Sequence, residues 1–292
     1  GRIVIVGTRA LRPTYVNGRL VTAGYLGDLR LRPEHRGGTA IARGYRYLES
    51  LHRDGRAEIY SSVIVADNRL ALDTIAANRA GMPRYADLGR ILTPMIYLRR
   101  RQRPIDGEIV RGGLDLLHAI VAKLNENRGQ FAPAWTESDF LDGRLRGFRL
   151  EDFYVLRRGG HVAGVLGTWD QSSFRQTVAM RYNGVLGALR PIINLVRRPP
   201  LPAPGQPLMF FYVAFISTDD EDAFRTLLRR VYNDAIGGPY SHFIVGLHER
   251  DPRARVLDEY AHMPFAGRLF AVTFGASAQL DDRVPHVEAA LL

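Results

Sequence analysis

Tyr25-Leu-Gly-Asp-Leu-Arg-Leu-Arg-Pro-Glu-His-Arg-Gly-Gly-Thr-Ala40 is the stretch whose reading decides the fold. Its first half continues a run that starts at Arg19 and carries Leu20, Val21, Tyr25, Leu26, Leu29 and Leu31, which reads as a long strand stopped by Pro33. From Ala40 onward Ile41, Tyr45, Leu48 and Leu51 recur at helical spacing, so 40–51 is expected to be a helix. A strand that passes through a short glycine-containing loop directly into a helix aims several backbone N–H groups and the positive end of a helix dipole at one point. Gly37 and Gly38 would let the backbone approach a phosphate with no Cβ in the way. Arg36 would add a charge-assisted contact.

Working outward, residues 2–6 read as a β-branched strand and Asn17-Gly18 as a hairpin turn. Residues 59–65 read as a buried strand, 70–80 as a helix and 91–98 as a further strand, which argues for an α/β layer. The charged, proline-ended run Arg99-Arg-Arg-Gln-Arg-Pro104 is the expected domain boundary, dividing 1–103 from 104–292. Beyond it, helices are expected over 113–125 and 139–145, and a hairpin over 153–157 and 161–169 around Gly159-Gly160. A proline-rich surface loop follows over 198–207. Then the earlier order returns: strand 208–216, helix 221–235, strand 241–247, helix 252–261, strand 268–274. Two copies that share element order but little local sequence read as a divergent tandem duplication. The first copy lacks counterparts of the elements between 113 and 157, and the chain begins with Gly1, not Met. Both suggest a domain clipped at its front.

Composition narrows the function. The 292 residues are 46% hydrophobic and 24% charged, ordinary for a globular chain of two domains. No cysteine is present, which excludes disulfides, thiolate metal ligands and a cysteine nucleophile. No run of eighteen apolar residues suggests a spanning helix. With no signal-like start, a cytoplasmic location and no membrane partner are expected. The formal charge is +10, yet Lys123 is the sole lysine, so the arginine bias resembles a codon-composition effect. It still creates a basic field suited to a polyphosphate ligand. No Gly-x-Ser-x-Gly elbow supports a serine hydrolase, and the dispersed histidines, including His242 and His248, imply no metal site.

The strand–loop–helix stretch resembles the acetyl-coenzyme A signature of the GCN5-related N-acetyltransferase (GNAT) superfamily, a strand ending in a proline-containing turn followed by Arg/Gln-x-x-Gly-x-Gly/Ala. Starting at His35, Gly38 and Ala40 fall on the small-residue positions, with His in place of Arg or Gln; starting at Arg36, Thr39 and Ile41 fall there. Downstream, Asn78-Arg-Ala-Gly-Met-Pro83 precedes Tyr85-Ala-Asp-Leu-Gly89, which is similar to the Tyr-x-x-x-Gly segment that ends the family's next helix.

The resemblance implies an α/β fold of two GNAT-like mixed-sheet domains in tandem, the first without its N-terminal elements. It implies an N-acetyltransferase that uses acetyl-CoA as cosubstrate, needs no metal, and moves the acetyl group to an amine through a tetrahedral intermediate. The cosubstrate would be held by Leu29, Arg30, Leu31, His35, Arg36, Gly37, Gly38, Thr39, Ala40 and Asn78, with a strand amide near Leu29–Leu31 facing the oxyanion. Tyr85 would protonate the departing thiolate, and Asp28 is the candidate base, through water. Glu34 and His35 are less well placed for that role. In the second copy the loop reads Ser217-Thr-Asp-Asp-Glu-Asp222, whose carboxylates suit helix capping and would repel a pyrophosphate. That copy is expected to be non-catalytic and to form part of the acceptor cleft. The acceptor would be a small-molecule or protein amine, with homodimerisation left open. Two other readings stand beside this one: a non-catalytic acyl-CoA sensor or scaffold with a GNAT fold and, ranked third, a basic nucleic-acid-binding module.

Overall fold

The computed structural model describes residues 2–75, 82–196, 199–276 and 278–292. Strands β1 (Ile5–Val16) and β2 (Arg19–Leu31) form an antiparallel hairpin. Asn17 and Gly18 close it with φ of 52° and 70°, the paired positive values that match a turn to the right-handed twist of its strands. Helix α1 (Ala40–His52) then crosses to β3 (Ile59–Val65), which lies parallel to β2. Helix α2 (Arg69–Ile75) leads to β4 (Arg84–Leu92).

The strand expected over 91–98 is in fact two pieces. Pro94 has no N–H to give a ladder, and the chain leaves β4 there to form β5 (Met95–Tyr97) in another sheet. The remaining elements are β6 (Glu108–Arg111), α3 (Leu117–Leu124), β7 (Ala132–Pro133), α4 (Glu137–Leu141), β8 (Phe153–Arg158), β9 (His161–Trp169), α5 (Gly184–Val196), β10 (Phe210–Thr218), α6 (Glu221–Ala235), β11 (His242–Val245), β12 (Leu247–His248), β13 (His262–Met263) and β14 (Ala266–Thr273). Where a helix is expected over 252–261, Pro252–Glu259 is a 3-10 helix.

Among the described residues two seven-stranded mixed sheets form, ordered β12-β4-β14-β3-β2-β1-β7 and β13-β5-β11-β10-β9-β8-β6. Each repeats the same core: β2–α1–β3 in the first and β10–α6–β11 in the second, both with parallel pairing. The last strand of each copy is exchanged. β14 inserts between β3 and β4 of the first sheet, and β5 inserts between β11 and β13 of the second. Both sheets therefore span the boundary expected at 99–104. Composition marks that linker, but strand pairing is non-local and ignores it.

Below α1 and α2, one face of the first sheet buries Leu26, Tyr60, Ile64, Tyr85 and Phe270 in a cluster with Tyr45 of α1; its other face buries Ala23, Ile59, Ile91, Leu269 and Ala271. That alternation is the period-two pattern of a sheet covered on both sides. In the second sheet Trp135, Phe140, Phe148, Phe153 and Trp169 surround Phe215, with ring centroids 4.8 Å apart for Phe148–Phe215 and 5.1 Å for Trp135–Phe215. Phe215 has φ of 55°, a conformation that costs a bulky residue about 1–3 kcal/mol and persists only where packing over-determines it.

Candidate functional site

The site begins with an irregularity in β2. Gly27 stands opposite Thr8 and Arg30 opposite Val6, so Asp28 and Leu29 share the single partner Gly7. This is a β-bulge, and Asp28 takes φ of 53° within it. On its other side β2 follows β3 only from Ala23–Ile59 to Tyr25–Ser61. One position on, the Ser62 hydroxyl donates to the Leu26 carbonyl at 2.8 Å, so a side chain closes the last link of the ladder. Past it the two strands part. A cavity of about 730 Å³ opens in that gap, between the bulge, the α1 face bearing Gly44, Tyr45 and Leu48, and the β3 end from Ser62 to Val65.

Of the residues expected at the site, Asp28, Leu29, Arg30 and Tyr85 line this one cavity. Tyr85 does not sit at a helix end: it lies within β4 and is buried, its ring against Phe270 and its hydroxyl 2.7 Å from that of Tyr45. Burial, reinforced by Tyr45, pushes its pKa up, so the phenol keeps its proton and can serve as a donor. Asp28 is solvated; its side chain is 66% exposed, 3.7 Å from Arg30 and 3.4 Å from the Thr8 hydroxyl.

Leu31 ends β2, and His35 ends a three-residue 3-10 turn from Pro33. These two and Arg36–Ala40 do not line the cavity; they form the turn into α1. Arg36, Gly37, Gly38 and Thr39 are exposed there, and Gly37 has φ of 78°. The Gly37, Gly38 and Thr39 amides make no hydrogen bond among the described residues, and the Thr39 side chain does not cap the helix. The first copy thus presents an uncapped helix start. Glu34 is tied to Arg2 at 2.8 Å. Asn78 lies outside the described residues.

The second copy repeats the geometry and closes it. There Phe215 and Ile216 share Leu166, a bulge at the position of Asp28 and Leu29. The Phe215 amide donates at 2.7 Å to Glu288, whose second oxygen accepts from Ala290 at 3.2 Å. The start of α6 is capped by Asp220, which accepts from Ala223 at 2.6 Å and pairs with Arg158 at 2.7 Å. The helix start that is uncapped in the first copy is capped in the second by Asp220, as the acidic loop led one to expect, while Glu288 holds the bulge amide there.

A second cavity, about 550 Å³, lies between the copies and is lined by Tyr25, Ser61, Arg12, Trp135 and Glu288. Tyr25 and Ser61 immediately precede Leu26 and Ser62 of the first cavity, so the two spaces adjoin where β2 and β3 part. The Arg12 guanidinium lies 4.4 Å from the Trp135 ring centre, with its Nε buried and without a hydrogen-bond partner among the described residues. Burial pushes the Glu288 carboxyl up to about 7 despite its two amide donors. Sequence reading missed Tyr45, Ser62 and Glu288. Ser62 lies unmarked inside the strand expected over 59–65, and nothing local marks Glu288, which acts through a strand seventy-three residues away. Among the described residues, no group of three or more His, Asp or Glu side chains could hold a metal ion.

The sequence matches no family model and no curated protein. Solved structures do match. N-myristoyltransferase of Saccharomyces cerevisiae with bound myristoyl-CoA superposes with a TM-score of 0.58 at 10% identity, covering 94% of this chain and 64% of that one. A GCN5-related N-acetyltransferase from Kribbella flavida gives 0.51 at 13% identity, covering 92% and 57%. A probable N-acyltransferase from Enterococcus faecalis gives 0.50 at 12%, covering 92% and 58%. The chain thus spans less than two thirds of the length of these proteins. Nearly all of it lies within the shared fold: the chain has an α/β fold like that of the N-myristoyltransferase and the GCN5-related N-acetyltransferase, with the strand–helix–strand core built twice.

Proposed function

We propose that this chain transfers an acyl group, acetyl in the first instance, from an acyl-coenzyme A thioester to an amine, and that the first copy alone does so. One observation carries the reading: the bulge at Asp28, the parting of β2 from β3 and a cavity of about 730 Å³ coincide, beside a helix start whose Gly37–Thr39 amides make no hydrogen bond among the described residues. A diphosphate fits the Gly37–Thr39 turn, where exposed amides and the α1 dipole converge and Arg36 makes no ion pair among the described residues. The pantetheine arm would fill the gap between the strands, replacing the missing ladder partners of β2.

In this reading the acceptor enters the second cavity and meets the thioester at Leu26–Gly27. The amine nitrogen forms the new C–N bond, and the carbonyl oxygen takes up negative charge against a bulge amide. The C–S bond breaks and the sulfur takes a proton from Tyr85, which Tyr45 can resupply. The proton lost by the amine leaves through water toward Asp28. Products are an amide and free coenzyme A.

The test is incubation with acetyl-CoA and a panel of amines, reading free thiol and the mass of the amide. Amide formed by the parent protein, and lost on filling the first cavity, supports transfer. Saturable binding of acetyl-CoA with no amide from any amine would favour the sensor reading instead. A series of acyl chain lengths reports which donor the cavity accepts.

A further inference from the structure

Between β9 and β10 the chain makes an excursion, residues 171–209, that belongs to neither repeat and contains α5. This helix is amphipathic in the inverted sense. Its polar side chains face inward: Arg190 Nε donates to the Pro202 carbonyl at 3.2 Å, and Asn194 both donates to the Leu201 carbonyl at 3.1 Å and accepts from the Leu201 amide at 2.8 Å. Tyr182 adds a bond to Pro202 at 3.0 Å. The proline-rich run, which has few amides of its own to give, is held by these side chains. The consequence is that Leu189, Ile192 and Leu195 point outward, 42%, 62% and 75% exposed, with Met180 at 78% nearby. Burying aliphatic groups normally drives helix docking, and here no described element covers them.

Charge selects the occupant. The sequence has no Asp or Glu between Asp170 and Asp219, while it has Arg175, Arg181, Arg190, Arg197 and Arg198. Arg175 and Arg181 are exposed. An apolar helix face on a stretch of chain that carries arginines and no carboxylates is the pattern of a helix that lies in the interface of an anionic bilayer. No described helix is long and apolar enough to cross a membrane, so the contact would be peripheral. We propose that residues 171–209 dock this protein on an anionic lipid surface, with Leu189, Ile192 and Leu195 entering the acyl boundary and Arg175 and Arg181 on the headgroups. Absence of a spanning run led the sequence reading to expect no membrane partner; a surface that lies on the bilayer needs no such run. The docking does not depend on the acyl-transfer assignment.

The whole chain is sedimented with vesicles of equal parts phosphatidylglycerol and phosphatidylcholine, and with phosphatidylcholine alone. Binding is expected only to the anionic vesicles and should weaken with salt. Ile192→Glu/Leu195→Glu should abolish it, and Arg175→Glu/Arg181→Glu should weaken it by roughly thirtyfold or more, at about 1 kcal/mol per basic charge near the surface. All four side chains are exposed, so an unchanged melting temperature will show that both variants fold. No binding to anionic vesicles, equal binding to neutral ones, or binding that survives Ile192→Glu/Leu195→Glu would overturn the proposal. So would light scattering that shows a lipid-free dimer converted to monomer by the same variant, since a second copy would then be the occupant.

Discussion

Replacing Glu288 with glutamine tests how the second copy is closed. Glu288 is buried and its carboxyl titrates at about 7, against an ordinary 4.5, chiefly through burial. A carboxyl raised on folding contributes stability that is fully present below its unfolded pKa and is lost as pH rises through the folded one. The window is therefore about pH 4.5 to 7. At about 1.4 kcal/mol per unit, ionising Glu288 in place costs the folded state about 3 kcal/mol in full, and about 2.5 kcal/mol between pH 5 and pH 8. Glutamine cannot ionise, so this dependence vanishes. It also turns an NH2 toward the Ala290 amide, a pH-independent loss of about 1 kcal/mol. His286, which burial depresses to about 4, works in the opposite direction, its contribution being lost as pH falls from about 6.5 toward 4. It is present in both proteins and cancels when they are compared. Urea unfolding of the parent and Glu288→Gln near pH 5 and near pH 8 should show the parent losing about 2.5 kcal/mol relative to the variant as pH rises. Parallel dependences in the two proteins would refute the buried, amide-held carboxyl as the closure of the second bulge.

Other expectations follow from the first copy. Asp28→Gly should leave stability unchanged or raised, while Asp28→Val should lower it by about 1–3 kcal/mol, because only the latter resists a positive φ; chemical denaturation separates them. Gly24→Ala places a Cβ 2.1 Å from the fully buried Tyr60 ring and should cost about 1–3 kcal/mol by the same measurement. A Cβ at Gly44 meets only Ile5 at 3.5 Å, so Gly44→Trp should fold, fill the cavity and abolish acyl-CoA binding in calorimetry. Tyr85→Phe should lower kcat by roughly a hundredfold or more with little change in acetyl-CoA affinity, if the phenol donates to the leaving sulfur.

Local elements were legible because their signals are local. Asn17-Gly18 forces the β1–β2 hairpin, the spacing of Ile41, Tyr45 and Leu48 gives α1, and Asp220 starts α6 at Glu221. The repeat was legible too, since element order survives when sequence diverges. What escaped was non-local. Nothing near Met95 or Ala266 announces that each strand joins the other copy's sheet, because the decision lies in partners more than a hundred residues away. Tyr85 was found, but its setting was misjudged: the residue lies within β4 and not at a helix end. Helix α5 went unread because its outward face is apolar and its inward face polar, with Gly187 and Pro191 interrupting it. At the site, the bulge at Asp28 depends on register with β1, which no window along β2 alone reveals.

The most direct test of the central claim is a calorimetric titration of acetyl-CoA into the parent protein and into Arg36→Glu. The parent should bind one equivalent with a rise in melting temperature, and the variant should lose both, since Arg36 stands at the open amides of Gly37–Thr39. Equal binding by both proteins, or none by the parent, would contradict that claim.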